Sequence, residues 1–274
     1  MTELALRILT VLLGIPILLG WLWIAKEFQQ FWLAVLLLTI VTALASWEYT
    51  QLIGQSGLWI DKISFTLVSV STVVAYGALG SAHTLLIFTV GALIFLTMYL
   101  AHPEGMKDAA VAVLGLLYLP YFLHFFYAIY QPAHGFYVVL FLLVLVWAYD
   151  AGAYVVGTLL GVHKLFSPWS PKKSWEGVFG GWLLALLAGF VSLLWMPWKL
   201  SLPDAALHAL AISVPISVAA QLGDLFESKL KRMANRKDSG AFFPGHGGML
   251  DRIDSLLFAL PVFYSYLHYV LKWV

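Results

Sequence analysis

Two short stretches hold most of the side chains in this sequence that could do polar chemistry. The longer runs from Gln221 to Ser255, QLGDLFESKLKRMANRKDSGAFFPGHGGMLDRIDS. Asp224, Glu227, Ser228 and Lys231 recur there at three- and four-residue spacing, so on a helix they share one face. Phe242 to Gly248, FFPGHGG, calls for a tight turn, because glycines accept positive φ and let backbone amides approach an anion closely. Asp251 and Asp254 follow at the start of the next helix, on one side of it, where the helix dipole favours carboxylates. Asp224 and Asp251 have the character of hard oxygen ligands for magnesium, which uses one or two carboxylates together with substrate phosphates. The competing structural role is that each acid pairs with a lysine or arginine of the same loop.

The shorter stretch, Gly161 to Gly177, is GVHKLFSPWSPKKSWEG. Its Ser-Pro steps force turns, and Lys172 with Lys173 set two cations just before the next apolar run. Such a pair serves anions, or merely anchors a loop on the positive side of a membrane. Ser174 followed by Glu176 fits a helix N-cap with an acid in the first turn. Asp150 is the only charged residue between Phe136 and Leu160. An acid so deep in an apolar run is costly and usually functional. Gly152, Gly157 and Gly161 nearby allow close helix packing, so a structural hydrogen bond is its other possible role. Among the histidines, His246 stands out by its place in PGHGG.

The elements that carry these residues follow from composition. Of 274 residues, 62% are hydrophobic and 11% charged, against roughly a quarter charged in a soluble domain. That balance excludes a water-solvated globule and makes lipid the solvent. Without cysteine, disulfides and thiolate metal sites are excluded as well. Apolar runs long enough to cross the hydrocarbon as helix recur about nine times, near 5–25, 31–47, 64–80, 83–101, 109–129, 136–160, 178–197, 205–223 and 253–271. The first has no small-residue cleavage pattern and reads as a retained span. Period-two alternation is missing, so these are helices and not barrel strands, with kinks expected at Pro16, Pro120, Pro215 and Pro261.

Twelve of the fifteen lysines and arginines fall on one side of such a nine-span chain, leaving only Lys26, Lys199 and Lys272 on the other. The positive-inside rule then puts the N-terminus and both polar loops in the cytoplasm. The expectation is an all-α, polytopic integral membrane bundle. Residues 1–135 form N-terminal transmembrane helices, and 136–274 a catalytic region with cytoplasmic loops 161–177 and 224–252. The short N-terminus points to a bacterial inner membrane, and nothing in the chain addresses nucleic acid.

The run Ser228, Lys229, Leu230, Lys231, Arg232, then Lys237 and Asp238, then Pro244, His246, Gly247, Gly248, Asp251, Arg252 and Asp254 resembles the signature of the phosphatidate cytidylyltransferase family, also called CDP-diacylglycerol synthases. Asp150 ahead of GAY, then Gly161, His163, Lys164 and SPKKSWEG, resemble its second polar region. The likeness covers about residues 150–255; before that the chain matches only as a hydrophobic bundle. One departure is Ala151, where the family often has serine or threonine.

The resemblance implies an enzyme that joins CTP to phosphatidate with magnesium, giving CDP-diacylglycerol and pyrophosphate, and that works as a homodimer. It implies Asp224 and Asp251 as metal ligands, and Asp224, Asp251, Asp150 and Lys173 as catalytic residues. Lys172, Ser174, Ser228, Lys231, Arg232, Lys237, His246, Gly247, Gly248, Arg252 and Asp254 are implied in substrate binding. Two other functions compete: a CTP-dependent kinase of a polyprenol or other lipid, and an ion-coupled transporter that uses Asp150 as its ion site.

Overall fold

The computed structural model describes residues 3–80, 83–100, 105–130, 134–166, 170–195, 200–243 and 247–272, with side chains from residue 12 onward. Helices dominate: α1 (Glu3–Glu27), α2 (Phe31–Gln55), α3 (Lys62–Leu79), α4 (Thr84–Tyr99), α5 (Gly105–Leu116) and α6 (Phe122–Tyr130). They are followed by α7 (Gly135–Leu160), α8 (Trp175–Trp195), α9 (Leu202–Met233) and α10 (Leu250–Tyr266). A π-helical turn, Leu117–Tyr121, joins α5 to α6 and contains Pro120. The proline lacks the N–H that an α-helical ladder needs, and a wider turn absorbs the gap. The helices run on through Pro16, Pro215 and Pro261.

Among the described residues, seven helical segments are long and apolar enough to cross a membrane: 31–55, 62–79, 105–130, 135–160, 175–195, 202–233 and 250–271. Leu183, Leu187 and Val191 on α8, and Leu85, Leu86 and Leu93 on α4, are exposed. Such an apolar exterior requires lipid around it. The chain is an all-helical integral membrane protein. A count of nine spans further requires α1, 25 residues long, and α4, at 16, to cross as well. The described part of the loop before α8 holds two strands: β1 (Lys164–Phe166) and β2 (Ser170–Ser174) pair antiparallel as a small hairpin with a register shift between Lys164 and Phe166.

The chain gathers into two compact units, Met1–Gln131 with Lys229–Ile253, and Pro132–Ser228 with Asp254–Val274. In the first, Tyr49 is fully buried, stacks on Phe65 at 5.5 Å and donates from its hydroxyl to the Val111 carbonyl at 2.8 Å. Gly115 is the residue that lets these rings in, since a Cβ there would meet both of them. Tyr130 donates to the Leu22 carbonyl at 2.7 Å and Trp21 to that of Leu33 at 2.8 Å, tying α1 to α2 and α6.

Asp61 caps α3 by accepting from the Ser64 amide at 2.7 Å. The Ser64 hydroxyl and amide hold its carboxyl below the usual aspartate range. With a lowered folded pKa, its contribution is complete above the unfolded value and fades as pH falls through the folded one. Asp61→Ala is expected to cost about 0.5–1 kcal/mol, read as thermal unfolding in detergent at neutral pH, with the difference from wild type vanishing in acid.

In the second unit, α7 and α8 meet through small residues, as membrane helices do where apolar burial offers no driving force. A Cβ on Gly152 would run into the Gly180 carbonyl, one on Gly180 into Val156, and one on Gly181 into Tyr149. Phe141 meets Phe263, and Phe226 meets Phe258, with ring centroids 6.0 and 5.6 Å apart, fixing α10 against α7 and α9.

Candidate active site

The hairpin before α8 is closed by its own residues. The His163 carbonyl accepts from the Trp175 amide at 2.9 Å, and Glu176 accepts from the His163 amide and meets its Nδ1 at 2.6 Å. Ser174, 2% exposed, caps α8 by accepting from the Gly177 amide at 3.2 Å. It lies among Gly157, Gly161 and Gly177, where an added Cβ would press on its hydroxyl. The hydroxyl thus faces helix backbone, in the N-cap position. Lys172 is exposed, whereas Lys173 turns inward and forms an ion pair with Asp224 of α9, Nζ to Oδ2, at 2.5 Å.

α9 continues past 223 to Met233 as one helix, so Asp224, Glu227, Ser228 and Lys231 do share a face, with Glu227 fully buried. Ser228 donates to Asp224 Oδ1 at 3.3 Å, leaving that carboxylate one weak hydroxyl bond and one strong ammonium contact. One turn earlier, Gln221 accepts from the Tyr149 hydroxyl and pins α9 to α7 at the level of the acid. Asp150 is exposed on α7, next in the chain to Tyr149. Gly223 lies against the backbone of Asp254 on α10; a Cβ there would strike the Asp254 carbonyl. Asp254 accepts from the Ser255 amide at 2.6 Å.

Asp251, in the other unit, is held by more partners. Its side chain is 7% exposed and pairs through Oδ1 with Lys231 at 2.6 Å, an ammonium itself only 13% exposed. Oδ2 accepts from the Ser239 amide at 2.9 Å, the Ser239 hydroxyl at 2.9 Å and the Gly248 amide at 2.8 Å. Gly247, at φ +81°, makes this possible, because a Cβ there would sit on Asp251 Oδ2. Arg232 reaches the Arg236 carbonyl at 3.2 Å and closes the C-terminal end of α9. Lys229, Lys237 and Arg252 are exposed. His246 lies outside the described residues.

One residue of this region has no place in the sequence expectations. Glu48, near the end of α2 and 6% exposed, accepts from the Met249 amide at 2.9 Å, the Leu250 amide at 2.8 Å and the Ser239 hydroxyl at 2.9 Å. The Gly248 amide, at the end of the turn expected to approach an anion, is therefore taken by Asp251, and the Met249 and Leu250 amides that follow it by Glu48. Glu48 is the only charged residue of α2, the kind of signal that singled out Asp150. It falls just past the apolar run 31–47, in the part of α2 that continues to Gln55.

Whether these acids suit a divalent cation can be judged from their bonding. Among the described residues, no three His, Asp or Glu side chains gather as a ready-made cage. Magnesium asks for fewer protein ligands than such a cage supplies, one or two carboxylates being enough beside water and phosphate. Asp224 Oδ2 and Asp251 Oδ1 each already have an ammonium as strongest partner, so both oxygens accept positive charge. Asp251 Oδ2 is spent on three donors and is not available. Each acid, taken by itself, thus offers one oxygen suited to a cation.

The sequence pattern of the cytidylyltransferase family matches residues 5–270. Over 158 residues the chain is 38% identical to the phosphatidate cytidylyltransferase of Staphylococcus haemolyticus, a match covering 58% of each chain. It is 37% identical over 179 residues to that of Bacillus subtilis, covering 65% of each, and 43% identical over 139 residues to that of Haemophilus influenzae, covering 51% of this chain and 48% of the other. The matched stretch thus spans less than two thirds of each of these relatives. With its signature acids and lysines paired on α9, α10 and the α7–α8 hairpin, and the family pattern running through nearly all of its length, the chain belongs to the cytidylyltransferase family.

Proposed function

We propose that the chain transfers the cytidylyl group of CTP to phosphatidate, giving CDP-diacylglycerol and pyrophosphate, with magnesium as cofactor. The observation that carries this is the pair of lysine–aspartate contacts, Lys173 with Asp224 and Lys231 with Asp251, on the residues that resemble the family signature. The relatives' names agree in reaction and in substrates. We further propose nine spans with the N-terminus in the cytoplasm, a bacterial inner-membrane location and a homodimer. Residues 1–135 then serve as membrane scaffold and 136–274 as the catalytic part.

A phosphate oxygen of phosphatidate forms a bond to the α-phosphorus of CTP as the bond to the β-phosphate oxygen breaks, and pyrophosphate leaves with that oxygen. Both reactants are anions, so the chain's task is to neutralise and align them. Asp224 and Asp251 would hold magnesium, which when bound would supply positive charge against the charge developing on the phosphates. Lys173 and Lys231, each poised against one of those acids, swing to triphosphate or lipid phosphate, and Lys172, Arg232, Lys237 and Arg252 add to the cationic rim. Ser228 steadies Asp224, while Ser174, Gly247, Gly248 and Asp254 shape the backbone around the acids. Asp150 follows Tyr149 of the Tyr149–Gln221 bond and is assigned to catalysis by resemblance. His246 remains assigned to substrate by resemblance. An ionised phosphate needs no general base.

The test is CTP consumption by purified chain in detergent given phosphatidate and magnesium, against dCTP, ATP and UTP. CTP-dependent release of pyrophosphate is expected; a transporter needs no nucleotide, and no turnover with any of them removes the proposal. Lys173→Ala is expected to raise the KM for CTP or phosphatidate by about 10- to 100-fold, the worth of one charge-assisted bond. Unaltered kinetics would leave Lys173 as a membrane anchor.

A further inference from the structure

Glu48 has no role in the chemistry proposed above, yet it is the hub of the segment that carries Asp251. It sits one residue before Tyr49, whose buried ring and bond to Val111 lock α2 at this level. The Met249 and Leu250 amides that it accepts from are donors at the start of α10 with no partner inside the helix. Gly240 and Gly248 flank it so tightly that a Cβ on either would meet its carboxylate oxygens. Space was therefore kept for this one acid, and a carboxylate is what a helix N-terminus favours.

Ser239 couples Glu48 to Asp251. Its hydroxyl, 1% exposed, lies 2.9 Å from Glu48 Oε2 and 2.9 Å from Asp251 Oδ2. One hydroxyl proton serves one acceptor at a time, so whatever charge sits on Asp251 decides which carboxylate receives it. Asp251 Oδ2 is thus fastened on the side facing Glu48, and Oδ1 alone is turned to Lys231.

We infer that Glu48 is a positioning residue for Asp251: by fixing the first turn of α10 and holding Ser239, it presents a single carboxylate oxygen to a divalent cation. This rests on Asp251 as a metal-binding acid. Phosphate is excluded from the amides at the start of α10, because a carboxylate already fills that place. Residues that hold a ligand from behind in this way commonly set metal affinity by about 10- to 100-fold.

The experiment measures Mn2+ binding to the purified full chain in detergent by electron paramagnetic resonance, without nucleotide, for wild type, Glu48→Gln and Ser239→Ala. The Glu48→Gln amide turns a donor toward donors while keeping the shape. It is expected to weaken Mn2+ binding about 10-fold or more. The metal needed for half-maximal CTP turnover should rise by the same factor, with kcat at saturating metal and the KM for CTP within about twofold of wild type. A merely structural role would lower kcat and folded yield and leave metal affinity alone. Folded Glu48→Gln with wild-type Mn2+ binding overturns the inference. Should Glu48→Gln fail to fold, Ser239→Ala decides, since it cuts the link to Asp251 and keeps both amide bonds to Glu48: several-fold weaker Mn2+ binding supports the inference and unchanged binding overturns it. A wild-type chain that binds Mn2+ but makes no CDP-diacylglycerol removes the proposed reaction, and the Mn2+ comparison then still decides the role of Glu48.

Discussion

Asp224→Asn and Asp251→Asn are each expected to lower kcat by about a thousandfold or more, the scale of losing several kcal/mol of charge stabilisation at a phosphoryl centre. The two should differ in what they do to the fold. Asp224 is partly exposed and its partners are one lysine and one serine, so its amide variant should unfold near the wild-type temperature. Asp251 is nearly buried, and asparagine there removes the carboxylate charge that pairs with the Lys231 ammonium. That loss costs about 3–5 kcal/mol when a buried pair is broken. Turnover and thermal unfolding in detergent separate the effects. Near-normal activity in both variants would remove the two acids from the metal assignment.

Gly247→Ala should come next in effect. A residue at φ +81° is strained for any side chain that lacks special bonding, by about 1–3 kcal/mol. The new methyl also falls on Asp251 Oδ2, in a place where three donors hold that oxygen. Turnover is expected to drop about 100-fold, as when a reacting group is misplaced by around an ångström. Gly57 is the internal control: its φ is +88°, but nothing lies within 4 Å of a Cβ there. Gly57→Ala should carry the backbone strain and leave kcat unchanged. Equal kinetic losses in the two variants would show that strain, and not the contact with Asp251, matters.

Local pattern made much of this chain legible. Long apolar runs mark helices because lipid leaves the backbone no other partner, and the described helices follow them closely. The three- and four-residue spacing of Asp224, Ser228 and Lys231 holds because α9 is continuous to Met233. Partnerships between distant segments were not legible. Lys173 with Asp224 joins residues about 50 apart, and Glu48 with Ser239, Met249 and Leu250 joins residues about 200 apart; no periodicity connects them. The pairing of Asp251 with Lys231 was foreseen as the competing structural role, and it is present together with the signature that implies catalysis. Local backbone roles also hid behind chemistry: Ser174 fits both a cap and a phosphate ligand on paper, and its burial among glycines puts the cap in view.

A CTP-dependent lipid kinase would display the same nucleotide loops, and differs in its acceptor and in which phosphorus it moves. The most direct measurement is therefore to give purified chain, magnesium and phosphatidate either α-labelled or γ-labelled CTP, and to count the label extracted with lipid. Cytidylyl transfer puts the α label into lipid and leaves the γ label in water as pyrophosphate. Label from the γ position in lipid, or none from the α position, would contradict it.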